Sequence, residues 1–446
     1  MNVSKISAYL VVSITLLLPS TIYSQFAPPS LIKSNTGSIT NIITADLNND
    51  NLNDLIITKK FSTTSLISYY LNQGGLNFGP EVTITTGNSQ ITNISVGDFD
   101  NNSWLDIVSI GDATNSVTLY MNTALSFSSQ VLDTFNFFES DIGVTDIDND
   151  NDLDIVAIGG TTFKVYYNNG MASFSSQTIP GPIEDFFDIT INDIDADGFN
   201  DVITGGSNIS IYKNNNGILS YDMVRSNQIP STFNLLVRLV DIDSDGDKDL
   251  FSENNNSSGI RWMQNDGNGN FTNLQIIDPT ATNIRSSTFE DFDNDNDLDF
   301  IIIKNFNLYL YTNDGFGNFS SPILFQDPST IISVIESNDM NNDGLADIIW
   351  SADLSIQENN TTLSNKENLV DNELIKIYPN PSTEDLFIES PQKGILTVFN
   401  TQGQMIFKNL PVNKGVNHIK IKLEPQVYFF HIYLDTDTII KRVLIK

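Results

Sequence analysis

Residues 91–133 read as four short strands joined by polar turns. Positions 91–97 alternate apolar with polar side chains, 105–110 form a second run rich in β-branched residues, 116–121 a third run leading into Asn122, and 127–133 a fourth. An acidic loop, 98–106, separates the first two runs. The same grammar returns along the chain. The third run ends in Tyr-x-Asn at Tyr70, Tyr120, Tyr166, Tyr212 and Tyr311, with Trp262 as a looser variant, and the fourth opens on an aromatic at Phe78, Phe127, Phe174, Phe271 and Phe319. Four strands per unit is the content of one propeller blade.

The acidic loop has the form D-x-[DN]-x-[DN]-[GNS]-x-x-D and is followed at once by two apolar residues. It begins at Asp46, Asp98, Asp146, Asp193, Asp241, Asp291 and Asp339, at spacings of 52, 48, 47, 48, 50 and 48 residues. A period this regular makes each loop part of one repeating unit. The expected fold is therefore all-β, a seven-bladed β-propeller, with a smaller β domain behind it.

Carboxylates at positions 1, 3, 5 and 9 of a nine-residue loop, with a backbone carbonyl at position 7, can wrap a hard cation that wants six to eight oxygens. The predicted ligands are Asp46, Asn48, Asp50 and Asp54; Asp98, Asp100, Asn102 and Asp106; Asp146, Asp148, Asp150 and Asp154; Asp193, Asp195, Asp197 and Asp201. The later loops supply Asp241, Asp243, Asp245 and Asp249; Asp291, Asp293, Asp295 and Asp299; Asp339, Asn341, Asp343 and Asp347. Up to seven structural Ca²⁺ ions are expected. Position 6 must turn sharply, which suits Gly or Asn; it is Asn51, Asn151, Gly198, Gly246, Asn296 and Gly344, and only Ser103 departs. With Asn102 and Ser103, loop 98–106 is expected to bind most weakly. Asp/Asn-rich hairpin turns that bind nothing are the plainer alternative, but plain turns do not need acids at alternate positions. An EF-hand would need Glu at position 12 between helices, and Ile57, Ser109 and Ala157 stand there within strand-like sequence.

The seventh unit has runs at 348–351 and 354–357 and then loses its pattern, so its fourth strand is missing. Residues 26–32 copy the fourth-strand pattern of 78–84. Residues 26–34 are therefore expected to close the ring as the outer strand of the seventh blade.

Composition adds compartment and partners. Lys5, the apolar stretch 6–18 and Ser24 read as a secretory signal over 1–24, too short in its apolar part to span a bilayer. Cysteine is absent, so calcium is the expected substitute for disulfides. The net charge of -33 is concentrated in residues 25–370, with 47 acidic and 12 basic side chains, against 8 and 9 in 371–446. Such a field repels nucleic acid and anionic membranes. The asymmetry divides the chain into a propeller at 25–358, a polar linker at 359–372 and a tail domain at 373–446. The tail reads as a small β-sandwich with strands at 375–378, 386–389, 395–400, 405–408, 417–423, 427–433 and 438–445.

The repeated loop followed by a strand resembles the FG-GAP and VCBS-type repeats of integrin α-subunit propellers and many secreted bacterial proteins. The loop in every blade departs from the integrin pattern, so integrin partners are not implied. The tail's Tyr378-Pro379-Asn380-Pro381, Gly403 and Val427-Tyr428-Phe429 resemble the type A C-terminal sorting domain of the type IX secretion system of Bacteroidota. That resemblance implies delivery to the outside or the cell surface by that machinery; an ordinary carbohydrate-binding sandwich is the alternative.

Both histidines, His418 and His431, lie in the tail, which removes Ser-His-Asp, Cys-His and His-zinc chemistry from the propeller. Outside the loops the candidate acids are Glu139, Asp141, Glu184, Asp185, Asp188, Glu290 and Glu336, with Arg238 among them. Phe135, Phe137, Phe138, Phe186, Phe187 and Phe233 accompany them on the expected face opposite the loops, either as a docking surface or as seals between blades. A monomeric binding or adhesion module for a carbohydrate or protein ligand is the expected function. The alternative is a carbohydrate-active enzyme, a polysaccharide lyase or glycosidase, using carboxylates on that face.

Overall fold

Each acidic loop is the hairpin between the first and second strands of an antiparallel sheet, and its ninth residue opens the second strand. In the computed structural model the described residues are 26–446, less 35–36, 63, 88–90, 112–115, 135–140, 183–184, 231–235, 255–258, 327–330, 352, 361–374, 379–384, 401–404, 421, 424, 426, 435–437 and 446. The expected signal at 1–24, most of the linker, Glu139, Glu184, Phe135, Phe137, Phe138, Phe233, Gly403 and the 379–381 part of the tail motif lie outside them. Two compact units divide between residues 361 and 362.

Among the described residues the first unit holds seven four-stranded antiparallel sheets. The second sheet shows the plan: Ile91–Gly97, Asp106–Gly111, Ser116–Thr123 and Ser126–Thr134, paired in that order. Second strands such as Asp154–Gly159 and Asp299–Lys304 are buried along their whole length, because each face of the sheet meets a neighbouring sheet. This explains their nearly unbroken Ile and Val content. First strands of neighbouring sheets also touch, and Ser38–Ala45 of the first sheet meets both Ile91–Gly97 of the second and Ile335–Asn338 of the seventh.

The seventh sheet is composite, in the order Ser30–Leu31, Ser355–Gln357, Asp347–Trp350, Ile335–Asn338. Ser30 pairs with Ile356 and Leu31 with Ser355, and Phe26 bridges to Asn359. The regular strand is shorter than the expected 26–34. Pro28 and Pro29 lack the N–H that a ladder needs, and side chains hold the segment where the ladder stops. Phe26 is buried with its ring 4.7 Å from that of Phe325, edge to face, and Gln357 Nε2 donates to the Ala27 carbonyl at 2.8 Å. One helical turn, Met223–Ser226, was not foreseen; it follows the fourth sheet and is capped by the Asp222 carboxylate.

In the tail unit, Lys376–Tyr378, Asp385–Ser390 and Gly415–Lys420 form one sheet, and Met405–Val412, Gly394–Asn400, Val427–Leu434 and Thr438–Leu444 another. Leu386 and Ile388 of the first share one core with Leu396, Val398, Phe430 and Ile432 of the second, as a sandwich requires.

Candidate metal loops and hub cavity

The loops are built by their own aspartates. In the first, the Asp46 carboxylate accepts from the backbone N–H groups of Asp50 and Asn51 at 3.1 and 2.8 Å, and Asp50 accepts from Leu52 at 2.9 Å. The pattern recurs at Asp98, Asp146, Asp193, Asp291 and Asp339. Position 6 has positive φ in every loop, Ser103 at 70° included. Position 4 does too, which the sequence reading missed: Asn49, Asn101, Asn149, Ala196, Ser244, Asn294 and Asn342 lie between 56° and 61°. Two left-handed residues coil the loop so that alternate side chains converge.

Position 9 plays a larger part than that of a ligand. Asp54, Asp106, Asp154, Asp201, Asp249, Asp299 and Asp347 are each 0% exposed. One oxygen of each accepts from the backbone of loop position 2 and the other from the backbone of the Asn that closes the third strand. In the third sheet, Ile147 N–H donates at 2.9 Å and Asn168 N–H at 2.8 Å to Asp154. The Asn side chain then reaches the previous sheet. Asn72 donates to the Met340 carbonyl, Asn122 to Leu47, Asn168 to Phe99, Asn214 to Ile147, Asn265 to Ile194, Asn313 to Ile242 and Asn359 to Phe292, at 2.7 to 3.3 Å. Every sheet is thereby tied to its predecessor, and the first to the seventh. In the fifth sheet the residue two before this Asn is Met263, so Trp262, read as the variant Tyr, stands one place out of register.

Burial pushes the position-9 carboxyls up, to about 6 at Asp54, Asp106, Asp154 and Asp201, about 7 at Asp249 and Asp347, and about 8 at Asp299. A nearby cation reverses such a shift. Three carboxylates bring oxygens within 4.8 Å of one another in the loops of Asp98, Asp146, Asp193, Asp241 and Asp291. Four carboxylate oxygens in these loops, Oδ1 of Asp100, Asp241, Asp243 and Asp293, are buried without a hydrogen-bond partner. Orphaned, convergent, hard oxygens are the donor set that a calcium ion satisfies, so the residues fit the ion. It would be held by positions 1, 3, 5 and 9 and would supply charge neutralisation.

Among the described acids sought outside the loops, Asp141, Asp188 and Glu336 gather in one place, whereas Asp185 is exposed apart from them. Asp141, Asp188, Arg238 and Glu336 line a cavity of about 400 Å³ among the first strands, together with Asn41 and Asn93. Their partners are mostly neighbouring first strands: Asn41 donates to Asn93, Asn93 to Asp141, Ile189 N–H to Asp141 at 3.0 Å, and Val237 N–H and Arg238 to Asp188 at 2.6 and 2.8 Å. Burial raises both aspartates; the charge of Asp188 presses Asp141 up further, and Arg238 pulls both down. Burial also lifts Glu336 to about 8. Glu290, whose charge acts on Glu336, is raised by burial and Asp291. Phe186 is core; Phe187 is half-buried.

An all-β, propeller-like repeat protein with acidic hairpin loops is the class these features define. The FG-GAP-like repeat model matches residues 46–109, 98–157, 146–204 and 241–302, and the secretion system C-terminal sorting domain model matches 376–446. The chain is thus an FG-GAP-like repeat protein whose sorting domain directs export through the type IX system to the cell surface or extracellular space. A search of curated proteins finds no match. Among solved structures, one on specific recognition of non-reducing terminal N-acetylglucosamine by an Agrocybe aegerita lectin is similar with a TM-score of 0.50 at 17% identity, over 65% of this chain and 80% of its own. BBS1N in complex with ARL6DN, soaked with mercury, gives 0.50 at 13% identity over 75% and 96%. Identities this low speak for the fold alone.

Proposed function

We propose that the mature protein, freed of a signal at 1–24, is a calcium-stapled, closed seven-bladed binding module, monomeric, acting on a carbohydrate or protein ligand outside the cell. In this reading 25–358 is the module, 359–372 a linker and 373–446 the address. The observation that carries it is the set of buried, unpartnered carboxylate oxygens at Asp100, Asp241, Asp243 and Asp293, which a divalent ion would satisfy. Extracellular sites of this type hold calcium at roughly 10⁻⁴ to 10⁻³ M, so the ions would be structural rather than regulatory. The catalytic alternative is weakened because Asp141 and Asp188, the best-placed acids, already accept hydrogen bonds from neighbouring strands. Metal analysis of the purified protein, with a glycan array and a reducing-sugar assay on the same polysaccharides, tests the reading. Calcium content with glycan capture and no sugar release supports it; sugar release lost in Asp141→Asn or Asp188→Asn would replace it with the enzyme.

A further inference from the structure

Resting on the calcium reading of the loops, we propose that the fourth loop holds no divalent ion: its resident cation is the ammonium of Lys213, and the residue before each closing Asn selects what its loop holds. Lys213 Nζ lies 2.6 Å from Asp195 Oδ1, 2.9 Å from Asp197 Oδ2 and 3.1 Å from Asp201 Oδ1. Those are positions 3, 5 and 9 of the loop. The side chain is 11% exposed, so this is a buried ammonium in a cage of carboxylates rather than a surface pair. Arg225 adds a second positive group 3.8 Å from Asp195 Oδ2.

The other loops serve as internal controls. Oδ1 of the position-3 residue is orphaned at Asp100, Asp243 and Asp293, whereas the same atom of Asp195 is the lysine's closest partner. A calcium ion sits 2.3 to 2.6 Å from each oxygen it binds. An ion within that reach of these three oxygens would overlap Nζ, so the two cannot coexist. With its carboxylates answered by Lys213, and in part by Arg225, which also pairs with Asp222 at 2.7 Å, the loop also offers a dication less net negative charge than the loops starting at Asp146 and Asp291.

Lys213 immediately precedes Asn214, and the equivalent residues are Leu71, Met121, Tyr167, Gln264, Thr312 and Glu358. Where this residue is polar and long it turns to its own loop. Gln264 Nε2 reaches Asp243 Oδ2 at 2.6 Å, and Glu358 Oε1 accepts from Asn341 Nδ2 at 3.2 Å. Glu358 thus brings a carboxylate to a loop that has Asn341 in place of an aspartate. One register position therefore carries a cation, an amide or an acid, and the fourth loop already holds a cation among positions 3, 5 and 9 before any calcium is present.

Calcium bound per full-length chain is to be counted by native mass spectrometry for the native protein, Lys213→Met and Met121→Lys, the methionine being what the second sheet already carries there. At calcium high enough to fill the weak loop 98–106 in the native protein, the expected result is one ion more for Lys213→Met and one fewer for Met121→Lys. Equal, non-zero counts in all three would overturn the inference and leave the calcium reading standing; no calcium in any of them would overturn both. Should a variant fail to fold, amine labelling of the native protein decides. Lys213 is expected to stay protected at saturating calcium, and labelling that rises with calcium would overturn the inference.

Discussion

Asn214 shows how much one side chain does in this protein. It is fully buried, donates to the carbonyls of Ile147 and Asn200 at 2.8 and 3.0 Å, and accepts from Gly217 N–H at 2.9 Å. Asn214→Ala would leave those groups buried and unpaired, at about 1 kcal/mol or more for each; urea unfolding should show a loss of about 3 kcal/mol, and a change below 0.5 kcal/mol would contradict its role as a tie. Glu253 is the opposite case. It is 2% exposed and both of its carboxylate oxygens are buried. Burial pushes it up to about 7, against the pull of Arg238. The folded state therefore keeps a proton that the unfolded chain releases near pH 4.5. Its contribution is intact below that pH and lost as pH rises through about 7. Glu253→Gln should flatten the decline in stability between pH 5 and pH 9 by an amount on the order of 3 kcal/mol, read from urea unfolding at both pH values; parallel profiles for the two proteins would contradict it.

At the level of strands and loops, the alternation of apolar and polar residues gave the four-strand unit, and the aspartate spacing gave the hairpins. The acidic loops were readable because the residue types they place at alternate positions are demanding. The same spacing hid the second duty of position 9, since a buried hydrogen-bond hub and a metal ligand ask for the same aspartate. The left-handed residue at position 4 was hidden as well, because Ala196 and Ser244 carry no glycine or asparagine signal there. Lys213 could have been found by noticing the one basic residue before a closing Asn. The N-terminal segment was legible from its likeness to 78–84, but its prolines shorten the ladder. Phe26 then carries much of the attachment: Phe26→Ala should cost about 3 to 5 kcal/mol, and deletion of 25–35 should lower the melting temperature further. Scanning calorimetry would show both, and an unchanged melt on deletion would remove the closing role of this strand.

On the scale of the whole chain, repetition and charge make the architecture readable in the sequence, whereas the hub cavity is not. Asp141 and Asp188 each stand five residues before a loop's first aspartate, yet only the meeting of first strands shows that they line one cavity together. No helix among the described residues is long and apolar enough to cross a membrane. Delivery rests on the sorting domain, so a stop codon at 372 should leave the protein inside the outer membrane while the full chain reaches the surface; fractionation with an antibody to the first unit reads the difference, and equal surface display would contradict it.

In the proposed reading calcium would join these scales, because a cysteine-free chain with 47 acids in residues 25–370 gathers many of its carboxylates in loops whose ninth residue opens a second strand. The most direct measurement is the thermal melt of chelator-treated protein titrated with calcium at pH 7.5. Saturable binding with a rise in melting temperature of about 10 °C or more is expected, since several sites each add RT ln(1 + [L]/Kd) to stability. No binding, and superimposable melts with and without calcium, would contradict the calcium-stapled ring.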